Sequence, residues 1–169
     1  MEVYADYAAT TPVRPEVIDE MMNIYKQHYG NPSSIHSVGR DARKYLDQSR
    51  QKVAELLGAK RNEIIFTSGA TEANNTAIKG LVYANEHIGN HIITTKIEHH
   101  SVLHVFEQLE RKGYDVTYLD VDDTGQVDLD QLEESLTDDT ILVSIMFVNN
   151  EVGTAVSYTH LTLPTIYSV

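Results

Sequence analysis

The feature that most constrains the fold is an alternation of two hydrophobic patterns from residue 64 onward. Short apolar, partly β-branched runs, which are typical of buried strands, alternate with longer segments that have helical spacing. The predicted strands are residues 64–66, 91–95, 114–119 and 141–148, and the predicted helices between them are residues 72–83, 102–112 and 129–136. This order produces parallel strands joined by crossover helices. The sequence therefore predicts an α/β fold with three layers, helix–sheet–helix, around a mainly parallel sheet.

Two more helices are predicted before this alternation begins. Pro15 suits the first turn of a helix, and apolar residues follow it at helical spacing as far as Gly30. The second and longest helix carries an apolar stripe over residues 38–57, and Gly58 stands where a C-terminal cap is expected.

Charge and cysteine content exclude several classes of function. The formal net charge of −12 opposes sequence-independent attraction to nucleic acid or to anionic lipid. The sequence contains no cysteine, so it can form no disulfide, thiolate metal site or cysteine nucleophile. No apolar run approaches the ~18 residues of a membrane span, and the first residues lack a signal-peptide pattern. We therefore expect no nucleic-acid partner, no membrane partner and a cytoplasmic protein.

The first candidate site lies where the strand at residues 64–66 leads into a helix. The linking segment contains Gly69, Ala70 and Thr71. Free backbone N–H groups at a helix start, together with the helix dipole, favour an anion such as phosphate. The Thr71 hydroxyl can add a hydrogen bond. An ordinary helix N-cap is the alternative interpretation, because Ser and Thr are common at that position.

The second candidate site is the pair His99 and His100, which follows the strand at residues 91–95. Ligands of α/β proteins bind at the carboxyl edge of the strands, where an imidazole can stack on a heteroaromatic ring. Two other interpretations remain open. His100 and His104 are spaced to ligate zinc from one helix face, or the histidines simply cap a helix.

A third candidate follows the strand at residues 141–148. Asn149, Asn150 and Glu151 bring two amides and a carboxylate to the same edge of the sheet, and an amide can donate a hydrogen bond to a phenolate oxygen of a cofactor. A polar turn closed by Gly153 is the alternative.

Taken together, five segments resemble the motifs of the cysteine desulfurases, in the fold-type I, class V aminotransferase group. They are DYAATTP (6–12), GNPSS (30–34), FTSGATE (66–72), EH (98–99) and VNNEVG (148–153). They occur in the family's order and spacing, and the similarity spans residues 3 to about 156.

The resemblance implies a cofactor, pyridoxal 5′-phosphate, and a role for each matching residue. Ala70 and Thr71 match the pair that binds its phosphate, His99 matches the histidine stacked on its pyridine ring, and Asn150 matches the asparagine at its phenolic oxygen. In the family, L-cysteine is converted to L-alanine while a mobile cysteine takes the sulfur as a persulfide. The sulfur then passes to an acceptor scaffold protein for iron–sulfur cluster or thio-cofactor assembly. The resemblance also implies a homodimer.

The chain departs from the family where it lacks several catalytic groups. The family's Asp and Gln at the pyridine ring, its covalent lysine in a Ser-x-His-Lys segment and its sulfur-accepting cysteine are all absent. Lys79 and Lys96 do not stand in that motif. We therefore expect a truncated chain that is inactive alone. The alternatives are another class V enzyme, similar to selenocysteine lyase, and a non-catalytic binding or scaffold module.

The predicted organisation has three parts. Residues 1–13 form an N-terminal segment, residues 14–156 form a partial cofactor-binding large domain, and residues 157–169 form a tail. The tail contains no Asp, Glu, Lys, Arg or Gly and has neither helical nor strand periodicity. We expect it to be a foreign, non-native extension.

Overall fold

The computed structural model describes residues 1–156, so the predicted tail lies outside the described residues. The described residues divide into two compact units, the first of Met1–Phe66 and the second beginning at Thr67. We refer to them as the helical unit and the sheet unit. The large-domain boundaries predicted at residues 14 and 156 remain a prediction. Within the described part of the chain, no helix is both long and apolar enough to cross a membrane.

The helical unit confirms both helices predicted for it. Helix α1 is Pro15–Gln27, with a proline in its first turn, and it ends before Gly30. Helix α2 is Ser37–Leu57 and stops at Gly58. The backbone of Gly58 has a φ of 65°, the left-handed conformation that glycine adopts without steric cost, and its N–H bonds the carbonyls of Ala54 and Glu55. A short 3-10 turn, Arg61–Glu63, follows.

The prediction of a strand at residues 64–66 is wrong. The backbone at Ile64 is extended, with φ −93° and ψ 124°, but the segment pairs with no strand among residues 1–156. Side-chain contacts from α2 hold it instead. Arg50 donates to the carbonyl oxygen of Ile64, and its guanidinium lies 4.8 Å from the ring centroid of Phe66. β-Branched residues favour extended backbone, but a strand also requires a partner ladder.

The sheet unit confirms the predicted alternation of helix and strand. Its elements are α3 (Ala70–Asn85), β1 (His91–Thr95), α4 (His100–Glu110), β2 (Asp115–Leu119), α5 (Leu129–Ser135) and β3 (Thr140–Val143). The three strands are parallel in the order β2-β1-β3. Strand β3 is shorter than predicted, because the chain leaves the ladder after Val143.

The alternation of side chains along the central strand produces the predicted three layers. Ile92 packs into a core cluster with Val82 of α3 and Phe106 of α4 on one face of the sheet. Ile93, the next residue, packs on the other face with Leu132 of α5. All five residues of β1 are buried, as expected for a central parallel strand covered on both faces. The carboxyl end of β1 therefore lies at one edge of a packed three-layer core.

Candidate functional site

The N-terminus of α3 offers uncapped backbone donors. No described side chain caps this helix at Gly69, so the N–H groups of its first turn, including those of Ala70 and Thr71, have no intrahelical partner. The Glu72 carboxylate accepts a hydrogen bond from the backbone N–H of Ser68 at 2.6 Å and so orders the loop before the helix. Hydrogen bonding by Ser68, chiefly through its hydroxyl, lowers the pKa of Glu72 below its ordinary value.

The residues at this helix start, Gly69, Ala70 and Thr71, are exposed. Gly69 is extended, with φ 167° and ψ 179°, so its conformation does not itself require glycine. A Cβ placed at Gly69 would meet no atom within 4 Å. Free donors at an exposed helix start, where the helix dipole is positive, suit an anion such as a phosphate group.

His99 caps helix α4, which confirms the capping interpretation. Its Nδ1 accepts a hydrogen bond from the backbone N–H of Ser101 at 3.1 Å and lies 2.9 Å from the Ser101 hydroxyl oxygen. Because a backbone N–H can only donate, Nδ1 is the unprotonated nitrogen, and in the neutral ring Nε2 carries the hydrogen. The cap fixes the ring at one edge while the side chain stays exposed. Capping therefore leaves a ring face available for stacking.

A hydrogen bond between helices sets the spacing of the two candidate segments. Asn74 of α3 donates from Nδ2 to the hydroxyl of Ser101 at 2.8 Å, and Ser101 is buried. Because Ser101 also contacts His99, this bond couples the N-terminal part of α3 to the first turn of α4. Asn74 and Ser101 were not predicted from the sequence, since the contact joins positions 27 residues apart.

An open depression lies between these two helix starts. Its volume is about 320 Å³, and both Thr71 and His99 line it. The other residues lining it include Asn75, His100, Ser101 and His104. The structure therefore brings together residues of two candidate segments, with Thr71 suited to hold an anion and His99 to contact a ring, whereas Ala70 is not among the residues that line the depression.

Asn150 occupies a different position, on the turn that follows β3. It is exposed and does not line the depression. The turn is nevertheless tied to the loop before His99. Asn149 donates from Nδ2 to the carbonyl oxygen of Ile97 at 3.2 Å, and the N–H of Met146 donates to Glu98 Oε1 at 2.5 Å.

Glu98 is a buried carboxyl group next to His99. It is 7% exposed, and besides the bond from Met146 it accepts a weaker one from the Thr95 hydroxyl at 3.4 Å. Burial raises the pKa of Glu98 above its ordinary value, while the hydrogen bonds from Met146 and Thr95 oppose that change. Glu98 belongs to the EH segment that resembles the family motif, but its burial was not predicted, because its partner Met146 lies 48 residues away along the chain.

The zinc interpretation of His100 and His104 lacks a complete ligand set. The two rings are stacked, with centroids 5.3 Å apart and planes at 24°. Among residues 1–156, no group of three or more His, Cys, Asp or Glu side chains could hold a metal ion. Structural zinc sites use four ligands, and catalytic sites usually use three from the protein.

Neither nearby lysine offers a free amine to the depression. Lys79 Nζ donates to Asn75 Oδ1 at 2.8 Å, and Lys96 Nζ pairs with Asp120 Oδ1 at 2.5 Å. The Lys96 pair lowers the pKa of Asp120. The residues of the depression thus fit noncovalent binding of a phosphate and a ring, and the structure suggests no covalent attachment by these two lysines.

Comparison with known proteins places this arrangement in a family. The family model described as aminotransferase class-V matches residues 3–163. The chain is 52% identical over 153 residues to the cysteine desulfurase IscS of Clostridium botulinum, covering 90% of this chain and 38% of that protein.

Solved structures agree with the sequence comparison. A NifS-like protein matches with a TM-score of 0.88 at 46% identity, over 92% of this chain and 43% of the other. The structure named SspA in complex with cysteine matches with a TM-score of 0.83 at 42% identity, over 90% and 44% respectively. The chain thus spans about two fifths of the length of these relatives. The match of the family model over most of its length shows that the chain belongs to the aminotransferase class-V family.

Proposed function

We propose that this chain provides the phosphate- and ring-binding edge of a pyridoxal 5′-phosphate-dependent cysteine desulfurase. The observation that carries the proposal is that Thr71 and His99 line one depression at the carboxyl edge of a parallel sheet. Ligands of α/β proteins bind at this edge.

The start of α3 supplies the phosphate-binding part of the proposed site. The N–H groups of Ala70 and Thr71 and the Thr71 hydroxyl are donors, and a phosphate oxygen is an acceptor. Glu72, the nearby carboxylate, is turned to Ser68 and orders the loop. The helix dipole adds a favourable interaction with a dianion.

His99 and Asn150 supply the proposed ring contacts. The His99 ring is held by its Nδ1 cap, so its face can pack on a pyridine ring without reorientation. The Asn150 amide donates a hydrogen bond to the ring oxygen. When bound, the cofactor supplies an electron sink for bonds at the substrate's α-carbon. The protein residues named here position it and exclude alternative orientations.

The proposed substrate and partners follow from the relatives. Proteins similar to this chain are named cysteine desulfurases, and one solved structure is named as a complex with cysteine. We infer L-cysteine as substrate, transfer of its sulfur through an acceptor scaffold protein to iron–sulfur cluster or thio-cofactor assembly, a homodimer, and a cytoplasmic location. Because the sequence contains no cysteine, the sulfur-accepting thiol must come from outside these residues.

Binding of pyridoxamine 5′-phosphate tests the proposal. This analogue has no aldehyde, so it cannot react with surface lysines. We expect saturable binding that Thr71→Ala and His99→Ala each weaken, by roughly threefold to tenfold for a lost hydrogen bond or ring contact. Thr76→Ala, on the exposed side of the same helix, and His87→Ala, at an exposed position beyond α3, are matched controls that should bind normally.

One result would count against the proposal, and another would correct the expectation that this chain is inactive alone. Binding that is absent, or equally weakened by the Thr76 and His87 controls, would show that the depression is not the cofactor site. Alanine release from L-cysteine by this chain alone, above the level of the Thr71→Ala variant, would overturn the expectation that other residues must supply the amine and thiol.

A further inference from the structure

We propose that Asn149 is a positioning residue that ties the turn carrying Asn150 to the loop carrying His99. The inference deepens the proposed function and rests on it, because it assigns Asn149 the task of presenting Asn150 to the same bound ring as His99. Asn149 itself is buried, with 8% of its surface exposed, and both polar atoms of its side chain are hydrogen-bonded within the protein.

The side-chain oxygen of Asn149 organises the turn. Its Oδ1 accepts hydrogen bonds from the backbone N–H groups of Glu151 at 2.9 Å and Val152 at 3.0 Å. Its backbone also closes the turn, since its N–H donates to Thr154 and its carbonyl accepts from Gly153, both at 2.9 Å. This is the local side-chain capping for which asparagine is favoured in turns. Asn150 is consequently carried on a closed turn.

The side-chain nitrogen of Asn149 connects that turn to the neighbouring loop. Its Nδ2 donates to the carbonyl oxygen of Ile97 at 3.2 Å and lies 3.4 Å from the Met146 sulfur. Ile97 is two residues before His99. An asparagine side chain is needed for both tasks, because a carboxylate has acceptors only.

This bond is one of several links between the ends of β1 and β3. The N–H of Ser144 donates to the carbonyl of Ile93, and the Thr94 hydroxyl donates to the carbonyl of Ser144, both at 2.9 Å. The bond from Met146 to Glu98 and the bond from Asn149 to Ile97 lie beyond them. Side chains thus continue the connection between the two strands beyond the point where regular pairing ends at Val143.

Asn150 contrasts with its neighbour. It is exposed, and its side chain has no hydrogen-bond partner within residues 1–156. Its position is therefore determined by the backbone of the turn, which Asn149 holds. This arrangement leaves the Asn150 amide available to a ligand while its location relative to His99 is fixed.

A double-mutant cycle on the 169-residue chain tests the assignment. Asn149→Ala and Asn150→Ala should each weaken binding of pyridoxamine 5′-phosphate by roughly threefold to tenfold, the range of one hydrogen bond. The double variant should bind about as weakly as either single variant, because both remove the same contact. Binding of inorganic phosphate should be unchanged in all three. Asn85→Ala, which removes another partly buried asparagine-to-carbonyl bond in α3, is the matched control.

Backbone amide NMR without any ligand tests the tether, meaning the connection that Asn149 makes between the turn and the loop, separately from the proposed cofactor site. Asn149→Ala should shift the amide signals of residues 97–101 and those of Glu151 and Val152. Asn149→Asp keeps Oδ1, so it should restore the signals of Glu151 and Val152 but not those of residues 97–101.

The outcomes are distinguishable. Multiplicative losses in the double variant, or an equal loss of inorganic phosphate binding, would show a general structural defect and overturn the inference. Unchanged signals at residues 97–101 in Asn149→Ala would also overturn it. The expected NMR pattern without pyridoxamine 5′-phosphate binding by the unsubstituted chain would support the tether and overturn the proposed function.

Discussion

The helical unit and the sheet unit differ in what surrounds their hydrophobic side chains. Helix α1 contains no buried residue, and α2 buries only Gly39, Ala42 and Ala54. The apolar side of α1 is exposed, with relative exposures from 39% to 69% for Val17, Ile18, Met21, Met22 and Tyr25. In the sheet unit, Phe106 and Leu109 of α4 and all of β1 are buried. Equally clear amphipathic patterns thus correspond to very different degrees of burial.

Buried polar groups follow the same division. All the buried polar or charged residues in the described part of the chain lie in the sheet unit: His91, Thr94, Thr95, Glu98, Ser101 and Asn149. Most of them are at or just beyond the carboxyl end of β1. The candidate site is therefore built where a packed core fixes its hydrogen bonds, and the helical unit depends mainly on local helix signals.

The largest expected difference concerns two phenylalanines. Phe106→Ala removes a ring that is fully buried in the core beside the sheet, and should lower the free energy of unfolding by about 3–5 kcal/mol. Phe66→Ala removes a ring that is 46% exposed and contacts Arg50, and should cost about 1 kcal/mol or less. Urea unfolding, with hydrogen exchange of β1 and α2 peptides to assign each transition, measures both. Equal losses would show that the helical unit is as tightly packed as the sheet unit.

Two helical glycines should respond to alanine with opposite signs. A Cβ at Gly39 of α2 would lie 2.8 Å from the carbonyl oxygen of Asn31 and closer still to Ser34 backbone, so Gly39→Ala should destabilise by about 1–3 kcal/mol. At Gly80 of α3 a Cβ meets nothing within 4 Å, and Gly80→Ala should stabilise by about 0.5–1 kcal/mol. Thermal unfolding, monitored by circular dichroism, measures the change in stability of both variants. Stabilisation by Gly39→Ala would mean that the loop before α2 can move away.

Local signals explain how much of the fold could be predicted. Pro15, Gly58 and the hydrophobic periodicity define helices through contacts within a few residues, and those predictions are confirmed. Residues 64–66 have the same local character as β1 but have no partner strand among the described residues, and there the prediction is wrong. Sequence patterns indicate the backbone conformation that a segment prefers, whereas strand pairing depends on residues that are distant in the sequence.

The candidate site shows the same limit. The strand–helix junctions at Thr71 and His99 could be predicted because each is a local pattern. The hydrogen bonds that hold these junctions in place could not be predicted. The bond from Asn74 to Ser101 and the bond from Asn149 to Ile97 each join segments that are far apart in sequence. His91 is a further example: it is buried between the hydroxyls of Thr140 and Thr117, and nothing near it in the sequence indicates those partners.

Two histidine caps, one in each unit, provide a smaller test of the comparison. His36 accepts from the N–H of Gly39 at 3.2 Å at the start of α2, as His99 does from Ser101 at the start of α4. Replacing either by alanine should cost about 1 kcal/mol, and asparagine should restore most of it. The loss should be larger for His99, because the buried Ser101 hydroxyl also loses a partner. Equal losses in urea unfolding would show that the link through Ser101 adds nothing to the cap.

The smallest expected effect is the pH dependence of Glu98, the buried carboxyl for which the helical unit has no counterpart among the described residues. Because burial raises its pKa in the folded state, the folded protein holds this proton more tightly than the unfolded chain. The contribution of Glu98 to the free energy of unfolding should therefore be greatest below the ordinary carboxyl value and decline as pH rises through the raised value. Glu98→Gln can still accept from Met146 but does not ionise, so its stability relative to the unsubstituted chain should improve with increasing pH. Urea unfolding between about pH 4 and 8 measures this difference, with exposed Glu20→Gln as the matched control. A relative stability that instead falls with pH would mean that the ionised carboxylate is the form stabilised by the Met146 and Thr95 hydrogen bonds.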